Sequence, residues 1–223
     1  MDAMIFDWDG TLVDSLPVIT RINVEVLGVY GVAYDEAAYR AALRPDWRSM
    51  YLQLGVPAAL VEEVGRLWIE RYRAQMSDVQ AFPDVHLALE RLASAGHPIG
   101  IVTAGDRLVV EYQLHATGLD AYVEVLVCGD DLPFSKPHPA PLQKALDWLG
   151  VGDRPTDATY VGDAPDDMRM ARTVGARGIG IVSMLAVRAE LHDAGAVEVA
   201  DSVTAWVASH FTRSEARAAS GGA

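Results

Sequence analysis

The chain has 223 residues, 51% hydrophobic and 22% charged, a composition that excludes a fibrous or wholly disordered protein. Its 18 Lys and Arg against 31 Asp and Glu give a net charge of −13, which disfavours nucleic acid and anionic lipid as bulk partners but leaves room for one basic pocket. The single cysteine, Cys128, excludes an intramolecular disulfide and a thiolate cluster, and it reads as a buried small hydrophobe. The opening MDAMIFDWDG has no basic leader segment, and no apolar run reaches the roughly 18–20 residues of a membrane span. A cytoplasmic protein without a membrane partner is expected.

The first apolar run, MIFDW, predicts a strand. Between Ser15 and about Ala81 no strand-like alternation appears. Helical patterns cover 17–27, 35–43, 46–54 and 58–76, separated by GVYGV, Pro45 and GVP. From about position 84 short apolar runs alternate with amphipathic stretches. Strands are predicted at 98–103 (PIGIVT), 123–128 (VEVLVC), 158–162 (ATYVG), 177–182 (RGIGIV) and 196–200, and helices over 106–116, 141–149, 166–174 and 202–210. This alternation predicts an α/β fold, a Rossmann-like parallel sheet with helices on both faces. The all-helical stretch then reads as an insert: a core of 1–15 and 82–212, a helical cap of 16–81, and a small polar tail, 213–223, expected to be flexible.

The chemistry concentrates at strand ends. Asp7 and Asp9 stand at the C-terminal end of the first strand, the edge where open α/β sheets bind ligands. Two carboxylates at this spacing suit a nucleophile or metal ligand beside an acid/base, although Asp and Gly also form ordinary turns. Thr103 ends PIGIVT, and alone it also reads as a helix N-cap. Lys136 in SKPHP alone reads as a solvated lysine, and Asp163 and Asp167 in GDAPDD as acids of a helix's first turn. All of them fall at a strand's C-terminal end or just after it.

Taken together these residues resemble the haloacid dehalogenase superfamily, specifically its phosphatases with a helical cap of the phosphoglycolate phosphatase kind. That family's DxDGT is matched by Asp7, Asp9, Gly10 and Thr11, its strand-end Ser or Thr by Thr103, its lysine by Lys136, and its GDxxxD by Gly162, Asp163 and Asp167. The successive gaps from Asp7 through Thr103 and Lys136 to Asp163 are 96, 33 and 27 residues, so only the first has room for a cap. The resemblance implies hydrolysis of a small phosphorylated metabolite: Asp7 as nucleophile forming an aspartyl-phosphate, and Asp9 as acid/base. Thr103, Lys136 and the backbone at Gly10 and Ala104 would hold the phosphoryl group. It also implies Mg²⁺, held by Asp7, the Asp9 carbonyl, Asp163 and Asp167, in keeping with hard oxygen ligands. A monomer or homodimer would suffice.

Some positions depart from the family pattern: Ala104 where Ser or Asn is common, Ser135 before the lysine, and Ala140-Pro141 after KPHP. Asp166 beside Asp167 leaves two carboxylates competing for one role, with the family spacing favouring Asp167. Trp47, Trp68 and Trp148 read as packing residues; Arg44 and Arg48 are the insert's candidates for a second anionic group on the substrate. The resemblance argues against a dehalogenase, which lacks the second aspartate, and against a phosphonatase, because 16–80 contains no lysine. Alternatives that stay open are a non-catalytic phosphometabolite binder on the same scaffold and a hydrolase of another class, a phosphomutase or pyrophosphatase.

Overall fold

The structure, a computed structural model, describes residues 2–42 and 47–220. Strand β1 (Ala3–Phe6) leads through a tight turn into β2 (Val13–Asp14). Four helices follow, α1 (Leu16–Val29), α2 (Glu36–Ala42), α3 (Trp47–Gln53) and α4 (Val61–Gln75), before β3 (Gln80–Ala81) and α5 (Val85–Ser94). The chain then alternates: β4 (Ile99–Val102), α6 (Arg107–Ala116), β5 (Val125–Val127), α7 (Ala140–Trp148), β6 (Ala158–Gly162), α8 (Pro165–Val174), β7 (Arg177–Ile181), α9 (Arg188–Ala194), β8 (Glu198–Ala200) and α10 (Val203–Ser220).

Six strands form one parallel sheet in the order β5-β4-β1-β6-β7-β8. Every residue of β1, β4 and β6 is buried, which is why these strands read as near-continuous apolar runs rather than alternating ones. Alternate side chains of β1 feed two cores: Met4 and Phe6 join Ile99, Val161 and Trp206 on one face, while Ala3 and Ile5 join Leu142, Tyr160 and Met168 on the other. Burial stabilises by about 1.5–3 kcal/mol for each large side chain such as Ile5 or Phe6. From β1 the chain winds outward through β4 and β5, then restarts at β6 on the other side of β1. That reversal opens a crevice beyond the C-terminal ends of β1, β4 and β6.

The helical insert leaves and returns through a ribbon of two-residue strands, Val13 against Ala81 and Asp14 against Gln80, with Phe82 N–H donating to Leu12 O at 3.0 Å. Within it, buried Asn23 accepts hydrogen bonds from Tyr51 Oη and Trp68 Nε1, both at 3.0 Å, so α1, α3 and α4 share one polar hub. Glycine inside a helix costs about 0.5–1 kcal/mol relative to Ala. Gly65 in α4 is explained by Trp47, whose ring carbons would lie 2.5 Å from any Cβ there.

Several elements differ from their sequence patterns. Two-residue strands such as β2 and β3 are too short to carry a periodicity, and α9, which buries only Leu191 and Ala194, was not anticipated. β5 keeps only Val125–Val127 of VEVLVC. The last helix runs to Ser220, ten residues past its expected end, because RSEARAAS is rich in helix formers and meets no glycine before Gly221. The final three residues lie outside the described ones. Trp148, expected to pack, is 74% exposed at the end of α7. Among the described residues no helix is long and apolar enough to cross a membrane.

Candidate active site

Three loops meet in the crevice. After β1 the Asp7 amide still donates to Val161 O at 2.8 Å, so the sheet ladder carries the residue rigidly to its rim. The chain then wraps one turn: the Trp8 carbonyl accepts from the amides of Thr11, Leu12 and Val13, with Gly10 at φ +75°. After β4, Thr103 turns its hydroxyl onto the Gly105 amide at 3.0 Å. It is not the cap of α6; Asp106 caps that helix, its side chain accepting from Val109 N at 3.3 Å. The Ala104 side chain is exposed and offers no polar contact, which leaves its backbone as the part available to a ligand. Ala140 and Pro141 simply start α7, where proline suits the first turn.

Lys136 reaches in from the loop before α7 and is almost fully buried. Its Nζ lies 2.6 Å from Asp7 Oδ1, 2.8 Å from Asp167 Oδ1 and 3.2 Å from Tyr160 Oη. Tyr160, in the middle of β6, donates to Val102 O at 2.8 Å. The other oxygen of Asp167 accepts from the Ala164 amide at 3.0 Å. Asp167 is therefore the inward carboxylate, and Asp166 pairs with Arg169 at 2.7 Å outside. Asp163 is buried, and neither of its oxygens has a hydrogen-bond partner. Asp9, half-buried, accepts at Oδ1 from Tyr72 Oη at 3.2 Å, a contact from α4 of the insert.

Electrostatics follow from this crowding. Burial, opposed by Lys136 and reinforced by Asp167 and Asp9, pushes the Asp7 carboxyl up to about 7. Burial, then Asp7 and Asp167, holds Asp163 well above the carboxylate range. For Lys136 burial disfavours the ammonium, but Asp167 and Asp7 together outweigh it and hold its pKa well above the ordinary value. Asp9 is raised by burial, with hydrogen bonds from Ser15 and Tyr72 pulling the other way.

Asp7, Asp163 and Asp167 each offer a carboxylate oxygen, and these atoms lie within 4.8 Å of one another. With all three ionised, three carboxylates against one ammonium would leave two negative charges uncompensated where unpaired charge is costly, which is why Asp7 and Asp163 are pushed up in the absence of a second cation. The unpartnered oxygens of Asp163 and the hard oxygen donor set suit a divalent cation such as Mg²⁺. Backbone also makes room for these acids: a Cβ on Gly10 would lie 2.3 Å from Asp163 Oδ2, and one on Gly162 would lie 2.5 Å from the Asp167 carboxylate. A cavity of about 830 Å³ opens beside Asp9, Gly10 and Asp163, walled by Ile19, Tyr39 and Phe82 on one side and Met184 and Leu185 on the other.

The crevice thus brings together Asp7, Asp9, Gly10, Thr103, Lys136, Asp163 and Asp167. Arg48 is not among them. It is half exposed on the insert, 2.5 Å from Glu62 and stacked over Trp47 at 4.3 Å. Arg44 lies outside the described residues. Cys128 is buried and its thiol is pushed up to about 12 by burial. Sequence reasoning missed Tyr72, Gln113 and Tyr160. The available signal was a hydroxyl-bearing aromatic at a core position, which needs a polar partner when buried.

A family model described as haloacid dehalogenase-like hydrolase matches residues 4–181. Phosphoglycolate phosphatase of Yersinia pestis is 33% identical over 187 residues, covering 80% of both chains. Pyrophosphatase PpaX of Bacillus cereus (strain AH820) is 30% identical over 197 residues, covering 86% of this chain and 88% of its own. In fold, a haloacid dehalogenase-like hydrolase from Streptococcus pneumoniae superposes with a TM-score of 0.82 at 24% identity, covering 95% of this chain and 98% of that one.

Proposed function

The chain belongs to the haloacid dehalogenase-like hydrolases, and from that premise we propose that it is a Mg²⁺-dependent phosphatase acting on a small phosphorylated metabolite through an aspartyl-phosphate. One observation carries the reading. Asp7 sits at the sheet's switch point, 2.6 Å from a buried lysine and beside the unpartnered Asp163.

An Asp7 oxygen attacks phosphorus, the P–O bond to the substrate's alcohol breaks, and Asp9 gives that oxygen its proton. Asp9, now ionised, takes a proton from water as the water oxygen attacks the same phosphorus and the bond to Asp7 breaks, releasing inorganic phosphate. Lys136 offsets phosphoryl charge through both steps, and Thr103 with the Ala104 and Gly105 backbone orients the phosphoryl oxygens. Asp7, the Asp9 carbonyl, Asp163 and Asp167 would hold Mg²⁺, which supplies charge neutralisation at the phosphoryl group. In this scheme residues 1–15 and 82–212 are the core that performs the chemistry. The helical insert, 16–81, is the cap that encloses the substrate.

Phosphate release from a panel containing phosphoglycolate, sugar phosphates, nucleotides and inorganic pyrophosphate tests the proposal. Release from at least one monoester is expected, with Asp7→Asn reducing it by at least about 10⁴-fold, since an amide cannot act as the nucleophile. Pyrophosphate is included because of the PpaX relative. Asp7→Asn turnover close to that of the unmodified chain would displace the nucleophile from Asp7.

A further inference from the structure

A chain of hydrogen bonds runs from the loop between the two aspartates, through the core, to the cap and back. Trp8 Nε1 donates to Gln113 Oε1 at 2.8 Å, Gln113 Nε2 donates to Tyr72 Oη at 3.4 Å, and Tyr72 Oη donates to Asp9 Oδ1 at 3.2 Å. Trp8, Gln113 and Tyr72 are all buried, so water does not compete for these groups.

The direction of each bond is dictated by chemistry. An indole N–H can only donate, so the Gln113 amide must turn its oxygen toward Trp8. Its NH₂ group then faces the other way, toward Tyr72 Oη and toward the Met76 carbonyl at 3.4 Å, a group that can only accept. Two one-way groups, on opposite sides of the amide, therefore agree on its orientation. The Tyr72 oxygen receives a donor, and its own proton is left for Asp9 Oδ1. The second oxygen of Asp9 faces the phosphoryl cradle: a Cβ on Gly105 would lie 3.6 Å from Asp9 Oδ2 and 3.3 Å from Thr103 Oγ1.

We infer that Tyr72, on α4 of the cap, is a positioning residue for the acid/base: it pins Asp9 Oδ1 and leaves Oδ2 directed at the leaving-group oxygen, with Gln113 and Trp8 setting its polarity. This rests on the role proposed for Asp9. Cap closure and acid/base alignment become one event, because the pinning hydroxyl belongs to the cap and the amide that orients it belongs to the core.

The test separates a proton-transfer defect from a binding or packing defect by the leaving group. Ethyl phosphate expels an alkoxide that needs a proton, whereas p-nitrophenyl phosphate expels a stable phenolate that does not. Tyr72→Phe keeps the ring and removes the hydroxyl. It should lower kcat/KM for ethyl phosphate roughly tenfold and that for p-nitrophenyl phosphate less than about twofold. Trp8→Phe, which leaves Tyr72 and Asp9 in place but frees the amide to turn, should show the same split in smaller size, and it carries the test if Tyr72→Phe fails to fold in a thermal melt. Equal losses on both esters, or no loss on either, would overturn the inference. An unmodified enzyme inert toward both esters would instead overturn the phosphatase reading beneath it.

Discussion

Gly10 and Gly162 each leave the space that a distant carboxylate occupies, that of Asp163 in one case and Asp167 in the other. The two are not equivalent. Gly10 has φ +75°, so a side chain there is strained as well as obstructive, whereas Gly162 ends β6 in extended backbone and resists substitution through space alone. Gly162→Ala should therefore keep the fold and push Asp167 away from Lys136, lowering kcat/KM on the best substrate by about a hundredfold, the usual cost of a shift near 1 Å at a reacting centre. Activity within a few fold of normal would mean that the pairing of Lys136 with Asp167 is dispensable. In the sequence these residues look like ordinary turn glycines in WDGT and YVGD. Their motifs mark the site, but the carboxylates they accommodate lie 153 and 5 residues away, and only the first of these contacts is invisible to local reasoning. Asp7, Lys136, Asp163 and Asp167 were legible because each follows an apolar strand. Tyr72 was not, since on α4 it occupies a position that helical periodicity assigns to packing.

At the level of elements, legibility followed length and apolar continuity. The buried strands stood out as β-branched and apolar runs, while the β2–β3 ribbon, which decides how the insert is tethered, has two residues a side and no pattern to read. The closing helix α10 went unrecognised beyond His210, although its buried Trp206 packs edge-on against Phe6 of β1 at 6.4 Å between ring centres. This helix carries a titratable group whose effect can be signed. Burial first, then His97 at 5.7 Å between ring centres, holds the His210 imidazole below its ordinary 6.5. As pH falls the unfolded chain takes up this proton first, so stability is lost from about pH 6.5 down to the lower folded value and is untouched above that window. The drop in Tm between pH 7.5 and pH 5.5 should accordingly be smaller in His210→Phe than in the unmodified chain. Equal drops would remove His210 from the acid sensitivity of the fold.

For the whole molecule the relevant imbalance is electrostatic. A chain of net charge −13 concentrates three carboxylates around one lysine at the head of its sheet. A divalent cation that binds there binds the folded state, because the three acids are 156 and 4 residues apart in the chain and are assembled only by the fold. Adding Mg²⁺ to an EDTA-treated sample should raise Tm by a few degrees and restore phosphate release, and Asp163→Asn should abolish the thermal shift. An unchanged Tm together with full activity in EDTA would exclude the metal from this cluster.

The strand order also governs how the chain can assemble as it is made. β1 pairs with β4 through Met4 and Ile99 and with β6 through Met4 and Thr159, separations of 95 and 155 residues. No native neighbour for β1 exists until the ribosome has passed residue 99, and its second neighbour comes later still, whereas α1 through α4 have all their mutual contacts within the first third of the chain. Such long-range pairings are slow to form and leave an apolar segment, AMIF, uncovered in the meantime. The strand that presents Asp7 is thus the first to be synthesised and the one that waits longest for its partners.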